Sequence, residues 1–128
     1  MWRDLRDYNS QMTEDPGSSR RFTLEEARAL LPAVRRLTDD AVHEAEALAK
    51  QMQKVGPGNA QYERLDESLN ARIVRWATDV ESLGAEVKGL WLVDFDTGDG
   101  YYCWKHPEPV ISHYHGYTDG FAGRMKIV

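Results

Sequence analysis

Apolar and small side chains recur at alternating steps of four and three positions in the segment that follows Thr23. The positions are Ala27, Leu31, Val34, Thr38, Ala41, Ala45, Leu48 and Met52. This spacing lines them up along one face of a long helix, as in the seam of a heptad repeat. Thr23 is followed three residues later by Glu26, the pattern of a capping box at a helix start. The sequence therefore predicts a helix over residues 23–54.

A second helix of the same kind follows a short break. Residues 56–58 read Gly-Pro-Gly and end the first helix, and Asn59 is a suitable N-cap for the next. Its apolar stripe comprises Tyr62, Leu65, Leu69, Ile73, Trp76, Val80 and Leu83. Gly84 stands where a left-handed residue commonly ends a helix. Two long helices joined by a short turn predict an antiparallel hairpin over residues 22–84.

The rest of the chain has the composition of strands. Three apolar and aromatic runs of strand length occupy residues 90–95, 101–105 and 110–115. Residues 96–100, Asp-Thr-Gly-Asp-Gly, have turn chemistry. We therefore expect an α+β fold, a long antiparallel helical hairpin followed by a small antiparallel three-stranded β-sheet.

The chain divides into an arm and one domain. Residues 1–21 contain a short amphipathic pattern and then a Pro-Gly linker, so we interpret them as an N-terminal arm and linker. Residues 22–128 are then a single domain, with the helical hairpin at 22–84 and a β-rich part at 85–128.

Charge and composition exclude several classes of function. The 128 residues include 16 basic and 21 acidic side chains, for a net charge of −5, which weighs against nucleic-acid binding. No run approaches the roughly 18 apolar residues of a membrane span. A single cysteine, Cys103, leaves no internal disulfide and suits the cytoplasm.

The length of the first helix predicts self-association. A helix over residues 23–54 would be roughly 48 Å long, at about 1.5 Å per residue. A compact chain of this size has a radius of gyration of only about 14 Å. Leu30 and Leu37 widen its apolar stripe, so we expect two hairpins to pair in a homodimer. The alternative is a monomer whose C-terminal part covers that flank.

Several short stretches resemble an uncharacterised prokaryotic family, catalogued as domain of unknown function 2203. The matching stretches are Phe-Thr-Leu-Glu-Glu-Ala at 22–27, Leu-Leu-Pro at 30–32, Leu-Gly-Ala-Glu-Val-Lys at 83–88, Val-Asp-Phe at 93–95, Cys-Trp at 103–104, Glu-Pro at 108–109, Tyr-His at 114–115 and Gly-Phe-Ala-Gly-Arg at 120–124. The resemblance covers residues 22–128 and implies no function. It points to Asp94, Cys103, Trp104, Glu108, His115 and Arg124 as positions to examine.

The late histidines suggest a metal site. His113 and His115 stand two apart on a predicted strand, so both project from one face, about 7 Å apart at their Cα atoms. With His106 and Glu108 close in sequence, these four are candidate ligands for a divalent metal such as zinc. The alternative is that they are ordinary strand residues, since no complete ligand motif is present.

Two further side chains could carry chemistry. Cys103 is a candidate nucleophile with a histidine as base, or else a small buried apolar residue. Arg124 follows Gly-Phe-Ala-Gly and could bind an anion, or else form a salt bridge to Asp94 or Glu108. Together with Asp94 and Trp104, to which the resemblance points, Cys103 and Arg124 are our candidate ligand-binding residues.

These observations favour a cytoplasmic binding or interaction module over an enzyme. The hairpin would form the homodimer, and the β-rich part would bind a protein or a small anionic ligand, with no role for nucleic acid or membrane. The alternative is a small metal- or cysteine-dependent enzyme with its site in the β-rich part. No complete catalytic motif is present, so the catalytic residues are unknown from the sequence.

Overall fold

Two long helices begin the fold. The computed structural model describes residues 20–128, and its helices are α1 (Leu24–Val55) and α2 (Ala60–Ser82). They pack against each other as an antiparallel hairpin, which confirms the prediction from the apolar stripes. The arm predicted at residues 1–21 lies outside the described residues, apart from its last two.

Local hydrogen bonds fix where each helix begins. The Glu26 amide donates to Thr23 Oγ1 at 3.1 Å, and the Thr23 amide donates to Glu26 Oε1 at 2.9 Å, which completes the predicted capping box. Asn59 Oδ1 accepts the Tyr62 amide at 2.9 Å in the same role for α2. After α2, Gly84 has a φ of 98°, a left-handed conformation that favours glycine.

A five-stranded antiparallel sheet follows, in the order β1-β2-β3-β4-β5. The strands are β1 (Glu86–Gly89), β2 (Leu92–Asp96), β3 (Tyr101–Lys105), β4 (His113–His115) and β5 (Met125–Lys126). The predicted fold class is correct, but the expected count of three strands is wrong. Both missed strands are at the sheet edges, and one has four residues and the other two. Segments so short carry no alternation that identifies them without their partners.

One face of the sheet packs into the core with the helices. Val87, Val93, Phe95 and Trp104 are fully buried in the same apolar cluster as Trp76 of α2. Trp91, in the turn before β2, sets its ring 4.8 Å from that of Trp76. The helices therefore cover one side of the sheet, and the alternate side chains of each strand project from the other side.

The C-terminal part also covers a flank of α1. Arg28 and Arg35 of α1 donate to the carbonyl oxygens of Ile111 and Pro109, at 3.2 and 3.0 Å. Leu30 and Leu37 are half-buried against the core of their own chain. Within residues 20–128, no helix is both long and apolar enough to cross a membrane.

Candidate functional site

Sheet register gathers polar side chains on the face turned away from the helices. Asp94 of β2 stands directly opposite Cys103 of β3, and Cys103 stands opposite His113 of β4. Two residues along, Tyr101 stands opposite His115. Directly paired residues of antiparallel strands project to the same side. Residues from three strands therefore meet on one surface, which we call the polar face.

At its centre, Asp94 and His115 form a buried acid–base pair. His115 Nε2 lies 2.9 Å from Asp94 Oδ2, and the two residues are 4% and 1% exposed. His115 Nδ1 lies 2.8 Å from the carbonyl oxygen of Gly116, which can only accept, so Nδ1 carries a hydrogen. One further proton is shared between Nε2 and Oδ2. Burial raises the pKa of Asp94, and the His115 charge acts in the opposite direction.

Cys103 completes a group of three potential metal ligands. The donor atoms of Asp94, Cys103 and His115 all lie within 4.8 Å of one another. Burial, reinforced by the Asp94 carboxylate, raises the pKa of the Cys103 thiol, while Arg124 acts in the opposite direction. A nucleophilic cysteine needs a lowered pKa, so without a metal this environment holds Cys103 as a thiol.

The segment after β4, residues 116–123, lies over the polar face, and we call it the roof. Tyr117 donates through its hydroxyl to Asp96 Oδ1 at 2.7 Å, a hydrogen bond that raises the pKa of Tyr117 to about 12. Its ring packs edge-on against Tyr101 at 5.1 Å. Phe121 begins a short 3₁₀ turn, and the Arg124 guanidinium lies 4.2 Å from the centre of its ring.

Between the roof and the sheet lies a half-open cavity of about 350 Å³, which we call the chamber. It is lined by Lys88, Leu92, Asp94, Tyr101, His115, Tyr117, Gly120 and Phe121. The Asp94–His115 pair therefore forms part of the chamber wall. Lys88 donates to Glu86 Oε1 at 2.8 Å and lies over the Tyr101 ring, so its charge is already paired.

An ion pair between Glu108 and Arg124 fixes the C-terminal end of the roof. Arg124 Nη1 donates to Glu108 Oε1 at 3.0 Å and lies 2.9 Å from Oε2. The Lys105 amide also donates to Glu108 Oε1, at 2.8 Å. The salt bridge to Glu108 that the sequence offered as one alternative for Arg124 is present, and both carboxylate oxygens take part in it.

The structure brings two of the four residues predicted as metal ligands, Glu108 and His113, close together and places the other two elsewhere. Glu108 lies 3.9 Å from His113 Nδ1, which is also 3.1 Å from Ser112 Oγ. His106 lies elsewhere, 3.4 Å from Asp39 of α1. Of the four predicted ligands, only His115 belongs to the group of converging donor atoms that Asp94, Cys103 and His115 form.

The predicted ligand-binding residues are brought together in part. Asp94 and Cys103 are neighbours, and Arg124 interacts with Cys103. Trp104 is fully buried in the core, and its indole donates to the Glu108 carbonyl at 2.8 Å. Trp104 therefore supports the Glu108 loop from the opposite face of the sheet.

Sequence reasoning missed the chamber residues Lys88, Tyr101 and Phe121. Tyr101 had a usable signal, because it stands two residues before Cys103 on the same strand and so shares its face. Lys88 lies on the strand that was not predicted, and the roof has no periodic pattern.

Comparison with known proteins gives a family and nothing more specific. No curated protein and no solved structure matches the chain. One family model matches residues 20–127, which is most of the chain and includes both helices, the polar face and the roof. The resemblance noted in the sequence is thereby confirmed, and the chain belongs to the family described as uncharacterized conserved protein (DUF2203).

Proposed function

We propose that the protein is a binding module whose ligand is a small neutral molecule held in the chamber. The observation that carries this is a half-open cavity of about 350 Å³ with the Asp94–His115 pair in its wall. Ligand pockets of proteins start at about 300 Å³ and combine apolar walls with a few fixed polar groups. Buried, coupled ionisable groups concentrate at functional sites.

The chamber walls favour a flat and uncharged ligand. Tyr101, Tyr117 and Phe121 contribute aromatic rings, and Leu92 adds an apolar side chain. The charge of Lys88 is paired with Glu86, so a charged ligand would have to break an existing ion pair. The predicted anionic ligand is less favoured for the same reason, since the Arg124 guanidinium is already bound to Glu108.

Ligand-observed NMR on the full chain tests the proposal. Phenol and indole are the neutral probes, and benzoate and benzamidine are the charged ones. We expect the neutral probes to bind and Leu92→Trp, which fills the chamber, to abolish their binding. The control is Ala49→Trp, which fills a separate groove of about 540 Å³ at the hairpin tip. Binding lost in Ala49→Trp but kept in Leu92→Trp, or no binding of phenol and indole, would contradict the proposal.

Homodimerisation through the hairpin remains a prediction. Among residues 20–128 the exposed large hydrophobic side chains all follow position 109, at Val110, Tyr114, Tyr117, Phe121, Met125 and Val128. This distribution supports the alternative, in which the chain covers its own helices. Sedimentation of the full chain at micromolar concentration decides between them. A dimer that Leu37→Glu dissociates without unfolding supports the hairpin interface, and a single 14.6 kDa species excludes it.

A further inference from the structure

We propose that Asp94, Cys103 and His115 bind a single thiophilic divalent cation, with Zn²⁺ the best match. The site lies beside the chamber, but the inference does not depend on the chamber ligand. It rests on donor geometry, on the hydrogen bonding of His115 and on a buried oxygen of Asp94 that has no nitrogen or oxygen donor among residues 20–128.

Donor geometry requires only small shifts. In a tetrahedral zinc site, bond lengths of about 2.0–2.3 Å place ligand atoms roughly 3.3–3.8 Å apart. The three donor atoms already lie within 4.8 Å of one another, on paired strands that hold their backbones in register. A cation would therefore draw in side-chain atoms without rearranging the sheet.

His115 is oriented as a metal-binding histidine is. Its Nδ1–H donates to the Gly116 carbonyl at 2.8 Å, which leaves Nε2 directed at Asp94. A backbone carbonyl or a carboxylate in this role fixes the ring and its tautomer at most metal-bound histidines. The hydrogen bond thus selects Nε2 as the coordinating atom.

A buried oxygen of Asp94 is the third observation. Its Oδ1 is buried and accepts no hydrogen bond from a nitrogen or oxygen atom of residues 20–128. Besides His115, the side chain that interacts with this carboxylate as a hydrogen-bond donor is the Cys103 thiol, which is a weak donor. The residue is only 1% exposed, so water does not compensate for the missing partner from outside. Buried carboxylate oxygens without a strong hydrogen-bond donor are rare in native structures and call for an explanation such as an ion. A cation between Asp94, Cys103 and His115 would provide one.

Binding of a divalent cation would leave the net charge of the site unchanged. A divalent cation would replace two protons, the thiol hydrogen of Cys103 and the proton shared by Asp94 and His115. The metal-bound site would consist of one carboxylate, one thiolate, a neutral imidazole and the cation, so its net charge would be zero. The protonated site without metal also has a net charge of zero. Arg124 lies beside Cys103 with its own charge paired to Glu108, and can donate to the thiolate.

The donor set selects the kind of metal. Calcium takes six to eight oxygen ligands and magnesium a near-octahedral oxygen shell, which one carboxylate beside a sulfur cannot supply. Thiolate and imidazole suit zinc and its neighbours. Three protein ligands leave a fourth position, as in zinc sites that bind water or a substrate. Asp94 and His115 line the chamber, so that position has space for a ligand.

Cobalt titration of the EDTA-treated full chain tests this directly. We expect one equivalent of Co²⁺ to bind and give a thiolate-to-metal charge-transfer band, and one equivalent of Zn²⁺ to displace it. Cys103 is the only cysteine of the chain, so the band reports this residue alone. The wild-type spectrum therefore remains a test even where a variant of the buried site does not fold.

Variants then identify the ligands. We expect Cys103→Ser to lose the charge-transfer band, and His115→Ala to weaken Zn²⁺ binding by at least about 100-fold. The matched control is His113→Ala, two residues away on the same strand and face, which should bind as the wild type does. Absence of a thiolate band in the wild type would overturn the proposal, as would loss of binding in His113→Ala with retention in His115→Ala.

Discussion

The indole Nε1 of Trp76 donates a 2.8 Å hydrogen bond to Thr38 Oγ1, joining the two helices at a point where both residues are fully buried. The Thr38 hydroxyl in turn donates to the Val34 carbonyl at 2.7 Å. This chain of hydrogen bonds explains how a hydroxyl occupies the apolar seam of α1. Both its donor and acceptor roles are filled within the hairpin.

Replacing Thr38 with valine should destabilise the protein. Thr38→Val keeps the volume but leaves the Trp76 N–H buried without an acceptor, which costs about 1–3 kcal/mol. Urea unfolding measures the loss. Thr78→Val is the control, because Thr78 is exposed and its hydroxyl also donates to a carbonyl one turn earlier. Equal losses in the two variants would show that the inter-helix bond contributes nothing.

The stability of the protein should depend on pH through Glu81. Burial is the largest cause that raises the pKa of Glu81 above its ordinary value of 4.5; Glu86 adds to it, while the Val87 amide and Lys88 act in the opposite direction. A raised pKa in the folded state means that the folded protein binds this proton more tightly than the unfolded chain does. The stability from Glu81 is therefore greatest below pH 4.5 and is lost as pH rises through the folded-state pKa.

Glu81→Gln should remove this dependence, because the amide oxygen still accepts the Val87 amide and carries no charge. We expect the stability of the variant relative to wild type to increase between pH 4.5 and neutral pH, as measured by urea unfolding at each pH. Glu63→Gln, an exposed change in the first turn of the same helix, is the control. If the stability of the variant relative to wild type decreases as pH rises, the pH dependence does not come from Glu81.

The structural features that can be predicted from this sequence are those whose signal lies within one short segment. The Thr23 and Asn59 caps and the apolar stripes lie within single segments, so the helices could be predicted from residues a few positions apart. The convergence of Asp94 with His115 depends on strand register across 21 positions, which no local pattern encodes. Sequence spacing therefore grouped His115 with His106, which the fold places beside α1 instead.

The Arg124–Glu108 ion pair should hold the last strand in place. Arg124→Met leaves the Glu108 carboxylate, only 24% exposed, without its cation, and we expect a loss of about 1.5–3 kcal/mol in the free energy of unfolding. The Ile127 amide, which donates to the Ser112 carbonyl, should exchange its hydrogen faster. Lys126→Met is the control, since it removes the same charge from an exposed position in β5. Equal effects of the two variants would indicate a simple charge effect.

The Tyr117 hydroxyl should control opening of the roof. Tyr117→Phe removes its hydrogen bond to Asp96 Oδ1 but retains the ring that packs on Tyr101. We therefore expect faster amide exchange in residues 116–123, with little change in the helices, because local opening is governed by the few contacts that hold a segment. Weaker binding of phenol and indole should accompany it if the roof closes over the ligand. Tyr114→Phe, in β4 with its ring on the other face of the sheet, is the matched control. If amide exchange and probe binding in Tyr117→Phe both equal those of wild type, the Tyr117 hydroxyl does not hold the roof.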